Sequence, residues 1–319
     1  MNQTAAPAPA GDDLLCAAFA DAPVGIALVG LDGTVLRANR ALGGLAGRDH
    51  AALAGTPLRA LVHPADADGA LAPLWVLAGG ELPSCRTEAR LVAPGGAARW
   101  ADLSAALVRD GAGRPACVVL HAQDATERRA REERLRHRAL HDPLTGLPNR
   151  TLFAERLERS LTGGVERAAP IAVLLLDLDG FKAVNDSHGH DAGDHLLREV
   201  GRRLTASLRA GDVAARVGGD EFALLVERAS GQGDAEAVAA RVLAALRTPL
   251  DLGGTDATIS ASIGIAVAAA GTEQAGDLLR AADAALYRAK AADPGWYAVA
   301  GESSVAGPTA RPAPPAPWR

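Results

Sequence analysis

Apolar positions along the chain recur with two periods that alternate from segment to segment. Val24-Gly-Ile-Ala-Leu-Val29 and Thr34-Val-Leu-Arg37 flank Asp32-Gly33, a dipeptide that signals a tight hairpin between strands. A short helical stretch follows around Asn39 to Ala46, and beyond His63-Pro-Ala-Asp66 a second helix covers Ala70 to Ala78. Three strand-like runs, 86–92, 98–108 and 116–122, are separated by Pro94-Gly-Gly96 and Asp110-Gly-Ala-Gly113. Thr126 to Leu140 is dense in Arg and Glu and contains neither Gly nor Pro, which predicts a continuous helix with a solvated face. In the later half, Leu152, Phe153, Leu157 and Leu161 mark one helix face, and Leu196, Leu197, Val200, Leu204 and Leu208 mark another. Between them the apolar run Ile171–Leu176 reads as a strand and continues straight into Asp177-Leu-Asp179. Two further apolar runs meet at Gly218-Gly219 as a hairpin, whose backbone can come close to a ligand. A helix over Ala235–Leu246, a strand over Thr258–Val267 and an amphipathic helix over Asp277–Ala291 complete the pattern. The order helix, then βαββαβα, predicts an antiparallel sheet with helices packed on it, and an α+β chain overall.

Composition narrows this picture. The 319 residues suffice for two domains, each able to bury a core. A net charge of −5 gives no electrostatic case for nucleic acid. No apolar run approaches the roughly 18 residues that span a bilayer, and Met1 to Gly11 lacks the basic and apolar regions of a signal peptide, so a cytoplasmic home is expected. Cys16, Cys85 and Cys117 match no metal or redox spacing and read as small buried apolar residues, as Trp75 and Trp100 read as core. The stretches 1–12 and 301–319 are rich in Ala and Pro and are expected to be disordered. The chain uses 31 arginines but only two lysines, Lys182 and Lys290. Positions that keep Lys against that bias want a compact ammonium on a flexible stem. Asn, present only at 2, 39, 149 and 185, invites the same argument.

Asp220 and Glu221 follow the Gly-Gly turn directly, and adjacent carboxylates at a strand end are costly unless a cation or a proton transfer uses them. If the strand ending at Asp177 pairs with this hairpin, Asp177 and Asp220 meet at a divalent metal, and all-oxygen ligation suits Mg²⁺ or Mn²⁺. An Asp at a strand end also serves commonly as a cap, and Asn185-Asp186 also reads as a turn. His188, His190 and His195 lack the Cys or carboxylate partners of a zinc site and read as structural; His50 and His63 read as surface residues.

Residues 13–124 resemble a PAS sensor domain, through Asp21-Ala-Pro-Val-Gly-Ile, Asp32-Gly-Thr, Asn39-Arg-Ala-Leu, His63-Pro-Ala-Asp and Asp124-Ala-Thr-Glu-Arg. That resemblance implies an antiparallel sheet with short helices and names no ligand. Residues 125–141 form the expected signalling helix. Residues 142–300 resemble the GGDEF family of diguanylate cyclases, through Asp142-Pro-Leu-Thr-Gly-Leu-Pro-Asn-Arg150, Asp177-Leu-Asp179, Phe181-Lys-Ala-Val-Asn-Asp186, His188-Gly-His-Asp-Ala-Gly-Asp194 and Gly218-Gly-Asp-Glu-Phe222.

The resemblance implies a palm-like βαββαβ domain that condenses two GTP into cyclic di-GMP and pyrophosphate as a symmetric homodimer. It assigns metal binding to Asp177, Asp220 and the carbonyl of Leu178, and catalysis to Asp220 and Lys182, with Glu221 assisting deprotonation of the attacking 3′-hydroxyl. Guanine reading falls to Asn185 and Asp194. Phosphate binding falls to Gly180, Phe181, Lys182 and Lys290, and Gly218 and Gly219 leave room for the nucleotide. Arg209 and Asp212 stand at the spacing of the family's inhibitory product site. One departure is visible: the family continues after the lysine equivalent to Lys290 with an Arg that helps hold phosphates, and here Pro294 stands in its place. The alternative is a degenerate domain that binds cyclic di-GMP or GTP as a receptor; a scaffold without nucleotide chemistry leaves the lysines and carboxylates unexplained. The tail after residue 300 is too short for a phosphodiesterase domain.

Overall fold

The computed structural model describes residues 11–162, 170–227, 229, 231–251, 256–268, 274–292, 294–301 and 305–306. They fall into two compact units that divide between Arg134 and Leu135. No helix among the described residues is long and apolar enough to cross a membrane.

The first unit opens with α1 (Gly11–Asp21), which contradicts the expected disorder at residues 11 and 12; positions 1–10 lie outside the described residues. It continues with β1 (Gly25–Val29), β2 (Val35–Ala38), α2 (Arg40–Ala46), α3 (Pro64–Ala78), β3 (Ser84–Val92), β4 (Ala98–Arg109) and β5 (Pro115–Asp124). The strands form an antiparallel sheet in the order β2-β1-β5-β4-β3. Asn39 is fully buried and explains its own rarity. Its Oδ1 accepts from Ile26 N at 2.8 Å and Leu42 N at 3.0 Å, so it caps α2 while tying it to β1. Asp66 accepts from the Arg90 guanidinium at 2.8 and 2.7 Å, and that bond, working against burial, holds its carboxyl down at about 2.

Two readings are corrected in this unit. Trp75 is 41% exposed; one part of its indole lies over Gly33, where a Cβ would come within 2.3 Å of the ring. Trp100 is half-buried with the Arg129 guanidinium 4.4 Å from its ring centre, and Cys16 is exposed because α1 buries no residue. The helix α4 (Thr126–Leu140) then spans the division between the units and also buries none.

The second unit contains α5 (Arg150–Thr162), β6 (Ile171–Asp179), α6 (Phe181–His188), α7 (His190–Ala206), β7 (Val213–Arg216), β8 (Glu221–Val226), α8 (Gln232–Leu246), the short pair β9 (Leu250–Asp251) and β10 (Asp256–Ala257), β11 (Ser260–Ala268), α9 (Ala275–Ala292), β12 (Tyr297–Val299) and β13 (Val305–Ala306). The main sheet runs β13-β12-β11-β6-β8-β7. All its pairs are antiparallel except β11 with β12, which are parallel because α9 crosses between them. The strand β13 falls inside the tail expected to be disordered; 302–304 and 307–319 lie outside the described residues.

Alternation along β6 decides what each face carries. Ala172, Leu174, Leu176 and Leu178 enter the core beneath α7 and α8, and Ile171 and Val173 enter the core beneath α5 and α9. The helix α9 lies directly on β11. At Gly264 a Cβ would meet Ala282 O at 2.1 Å and Leu286 N at 2.2 Å, so only glycine admits this approach.

On the other face, Arg203 is 11% exposed and donates to the carbonyls of Ala245, Leu246, Thr248 and Pro249, tying α7 to the end of α8. Glu199 orients it at 2.8 Å. Hydrogen bonds from Arg202 first, and then Arg203, overcome burial and bring the Glu199 carboxyl from 4.5 down to about 2. A carboxyl depressed on folding stabilises fully above its unfolded value and loses that stabilisation as pH falls toward the folded one. Glu199→Gln is expected to cost about 2 kcal/mol at neutral pH. The gap from wild type should close between pH 4.5 and about 2, as read from urea midpoints of α7 and α8 hydrogen exchange.

Candidate active site

The segment from His141 to Asn149 is a wide turn closed on itself: Asp142 N donates to Leu147 O at 2.8 Å, and Asn149 N donates to Leu140 O at 2.9 Å. Asn149 caps α5 through Leu152 N at 3.1 Å and donates to Ala139 O at 2.7 Å. Asp142 gathers Thr145 N, Thr145 Oγ1 and the Arg216 guanidinium, the last at 3.0 and 3.2 Å. Burial works to raise its pKa, but the Thr145 hydroxyl and N–H, with Arg216, outweigh it and hold the carboxyl below its ordinary value. The same guanidinium donates to Gly219 O at 3.1 and 2.7 Å. One side chain thus locks the wide turn to the Gly-Gly turn.

The hairpin expected at Gly218-Gly219 is present, closed by Val217 N and Gly218 N donating to Glu221 O at 3.0 and 3.3 Å. Neither glycine has a positive φ. The reason for Gly218 is local. A Cβ there would stand 2.3 Å from Glu221 Oε2, so its absence makes room for the Glu221 side chain, while Gly219 faces open space.

The strands carrying the two carboxylate clusters are neighbours, in register Asp177 opposite Glu221. Cross-strand partners share a face, so these two side chains lie on the α9 side of the sheet. Leu178 N donates to Asp220 O at 3.2 Å, which brings the Asp220 backbone beside β6. Lys290, on the last turn of α9, reaches Asp177 Oδ2 at 2.7 Å, and Asp177 is 17% exposed. The structure thus brings Asp177, Glu221, Lys290 and the Asp220 backbone to one end of the sheet, with Glu221 directly across from Asp177. Arg150 Nη2 stands 3.9 Å from Glu221. A cavity of about 380 Å³ between α5 and α9 reaches this carboxylate over Leu175 and Ala223; no sequence signal announced it.

Around the bend, Gly180 has φ +76 and starts α6, so the N–H groups of Phe181 and Lys182 sit in its unpartnered first turn. Lys182 is exposed, and Asn185 and Asp194 are half-buried on α6 and α7. Gly193 was missed by sequence reasoning. A Cβ there would lie 1.9 Å from Asn185 Oδ1, so the amide rests on α7 only because residue 193 has no side chain. Arg198 Nη2 lies 3.9 Å from Asp194.

Arg209 and Asp212 sit elsewhere. The register of β7 on β8 puts them at the end of β8 away from Glu221, roughly 20 Å off at the usual rise per residue. Asp212 is not oriented on the Arg209 guanidinium. Its two oxygens accept from the backbone N–H of Arg209 and of Glu227, both at 3.1 Å, and the Arg209 side chain is exposed. Pro294 is exposed in the turn after α9, and Asp293 lies outside the described residues. No cluster of three or more His, Cys, Asp or Glu gathers as a metal site among the described residues.

Comparison with known proteins accounts for both units. A family model for the diguanylate cyclase GGDEF domain matches residues 139–294, and one for the PAS fold matches residues 19–130. The bifunctional diguanylate cyclase/cyclic di-GMP phosphodiesterase MucR of Pseudomonas aeruginosa is 47% identical over 152 residues, which are 48% of this chain and 22% of MucR. The chain thus spans about a fifth of that relative. The isolated GGDEF domain of TpbB from Pseudomonas aeruginosa is 40% identical, covering 50% of this chain and 94% of that one, with a TM-score of 0.48. The coiled coil and GGDEF domain of DgcB from Caulobacter crescentus, solved in complex with c-di-GMP, is 29% identical over 55% of this chain and 92% of that one, with a TM-score of 0.51. The chain carries a GGDEF domain of the diguanylate cyclase type over residues 139–294, after a PAS fold over residues 19–130.

Proposed function

We propose that the chain is a sensor-regulated diguanylate cyclase: the GGDEF domains of two copies each bind one GTP and join them into cyclic di-GMP with release of pyrophosphate, under control of the PAS domain. The observation that carries this reading is the sheet end where Asp177 faces Glu221, Asp220 is bonded to the Leu178 backbone, and Lys290 stands at 2.7 Å from Asp177.

Cyclases of this family use a divalent metal, and the residues present fit one. Asp177 and Asp220 with the Leu178 carbonyl are hard oxygen donors suited to Mg²⁺ or Mn²⁺, and Asp177 already draws an ammonium to itself. When bound, the metal neutralises charge at the α-phosphate and lowers the pKa of the attacking 3′-hydroxyl. The chain's own residues do the rest. Lys290, Lys182 and the backbone N–H groups of Gly180 and Phe181 hold the phosphates. The Asn185 amide, laid on Gly193, and the Asp194 carboxylate read the guanine edge, whose N–H donors adenine lacks. Glu221 assists in taking the hydroxyl proton, a role its register position across from Asp177 supports. Arg209 is the product-binding arm of an inhibitory site, with Asp212 shaping its backbone, a reading in keeping with the c-di-GMP complex of DgcB.

Pro294, in place of the family's arginine, favours a second reading in which the domain binds nucleotide as a receptor and does not turn it over. Product analysis separates the two. Purified protein, stripped of bound cyclic di-GMP and given GTP and Mg²⁺, should form cyclic di-GMP; binding without product supports the receptor. Asp220→Ala should lower turnover about 10²- to 10³-fold, and retained turnover would sink the metal assignment. Arg209→Ala should raise the cyclic di-GMP concentration needed for inhibition about tenfold while sparing uninhibited turnover; an unchanged inhibition curve removes that site. Gly193→Ala should push the Asn185 amide off α7 and raise KM for GTP about tenfold, measured by initial rates.

A further inference from the structure

Two carboxylates end β6 on the same face, and they are used differently. Asp177 meets one ammonium. Asp179 accepts three neutral donors: the Ser260 hydroxyl at 2.7 Å and Gly295 N at 2.9 Å on Oδ2, and the Ser262 hydroxyl at 2.8 Å on Oδ1. Ser262 is fully buried and sits opposite Asp177 in the register of β11 on β6, as Ser260 sits opposite Asp179. Gly295 is buried as well, so both polar groups of its backbone need partners inside the protein. Its N–H goes to Asp179, and its carbonyl takes the Arg247 guanidinium at 3.1 Å. At φ +82, with Arg247 Nη2 3.1 Å and Ser260 Cβ 3.3 Å from where a Cβ would lie, this position admits only glycine without strain. The turn after α9 is therefore gripped from both sides, five residues beyond Lys290.

We infer that Asp179 is a positioning residue: by anchoring the Gly295 peptide to the end of β6, it fixes the last turn of α9 so that Lys290 stays over Asp177. The body of α9 is held by its close approach to Gly264, by Ala285 and Ala289 packed on Ala298, and by Arg288, which donates to Val299 O at 2.7 Å; the Asp179 anchor acts beyond these, on the turn that follows Lys290. The anchor matters more in this chain because Pro294 supplies no charge, leaving Lys290 as the cation that the end of α9 brings to Asp177. Among the described residues the donors to Asp179 are uncharged, and the Arg247 guanidinium bonds the far side of Gly295, so its role is directional, with both oxygens committed to hydrogen bonds.

The geometric part is tested without nucleotide, because the chain has only two lysines and each serves as reference for the other. Full-length protein is pulsed with acetic anhydride, and acetylation of Lys290 and Lys182 is quantified by peptide mass spectrometry. Lys182, exposed on α6, should react at one rate in every variant. Lys290 should be slower than Lys182 in the wild type, and several-fold faster in Asp179→Ala and Asp179→Asn than in the wild type. Ser262→Ala, which removes one donor and keeps the carboxylate, should fall between, and it carries the test if the Asp179 variants do not fold. An unchanged ratio of Lys290 to Lys182 in folded variants overturns the inference. Its catalytic consequence rests on the cyclase reading: Asp179→Asn should raise KM for GTP about tenfold with kcat held, whereas equal losses in both, or neither, would remove the positioning role in catalysis. A wild-type chain that makes no cyclic di-GMP would count against the cyclase reading and leave the lysine ratio fully interpretable.

Discussion

The guanidinium of Arg216 is the interaction on which the second unit is hung. It is 14% exposed, faces an Asp142 carboxylate that is 17% exposed, and turns its remaining N–H groups to the Gly219 carbonyl. Taking two charges this far out of water is costly, and the cost is recovered only while every partner stays in place. Losing either partner leaves a charge stranded, so the wide turn before α5 and the turn before β8 hold or fail together. The result is a hairpin of fixed shape from glycines that would otherwise leave it loose, and Asp220 and Glu221 inherit that shape.

Across the sheet, close approach does comparable work with no charge at all. Gly264 lets the backbone of α9 rest on β11, and Gly193 lets the Asn185 amide rest on α7. In each case the missing side chain defines where a neighbouring functional group can sit. The two ends of β6 and β8 then divide the labour: carboxylates and Lys290 meet at one end, and Arg209 lies at the other. A product bound at Arg209 would be distant from the reacting groups yet joined to them by six residues of a buried strand.

Much of this was legible in order along the chain. Alternation and helical periodicity locate the main elements because burial of one face imposes those periods on any sequence. The carboxylates at Asp177 and at Asp220-Glu221 announce themselves, since such charges are not placed at strand ends idly, and the two lysines stand out against 31 arginines. Asn39 and Asn149 repaid attention to rare residues too, as buried or capping nodes. The exposure of Trp75 and Cys16, the helical start at residues 11 and 12 and the strand β13 run against the sequence reading, because composition reports average preference and not which neighbour happens to cover a residue.

The sequence by itself determined the two-unit plan, the family of the later half and the identity of its chemical groups, all of which depend on local pattern and residue type. Only the tertiary structure decided which groups touch. That Glu221 lies across from Asp177, that Asp212 supports backbone in place of the Arg209 guanidinium, and that Asp179 anchors Gly295 over a separation of 116 residues are matters of register and packing. Such contacts join positions far apart in the chain, and no local period or spacing encodes them.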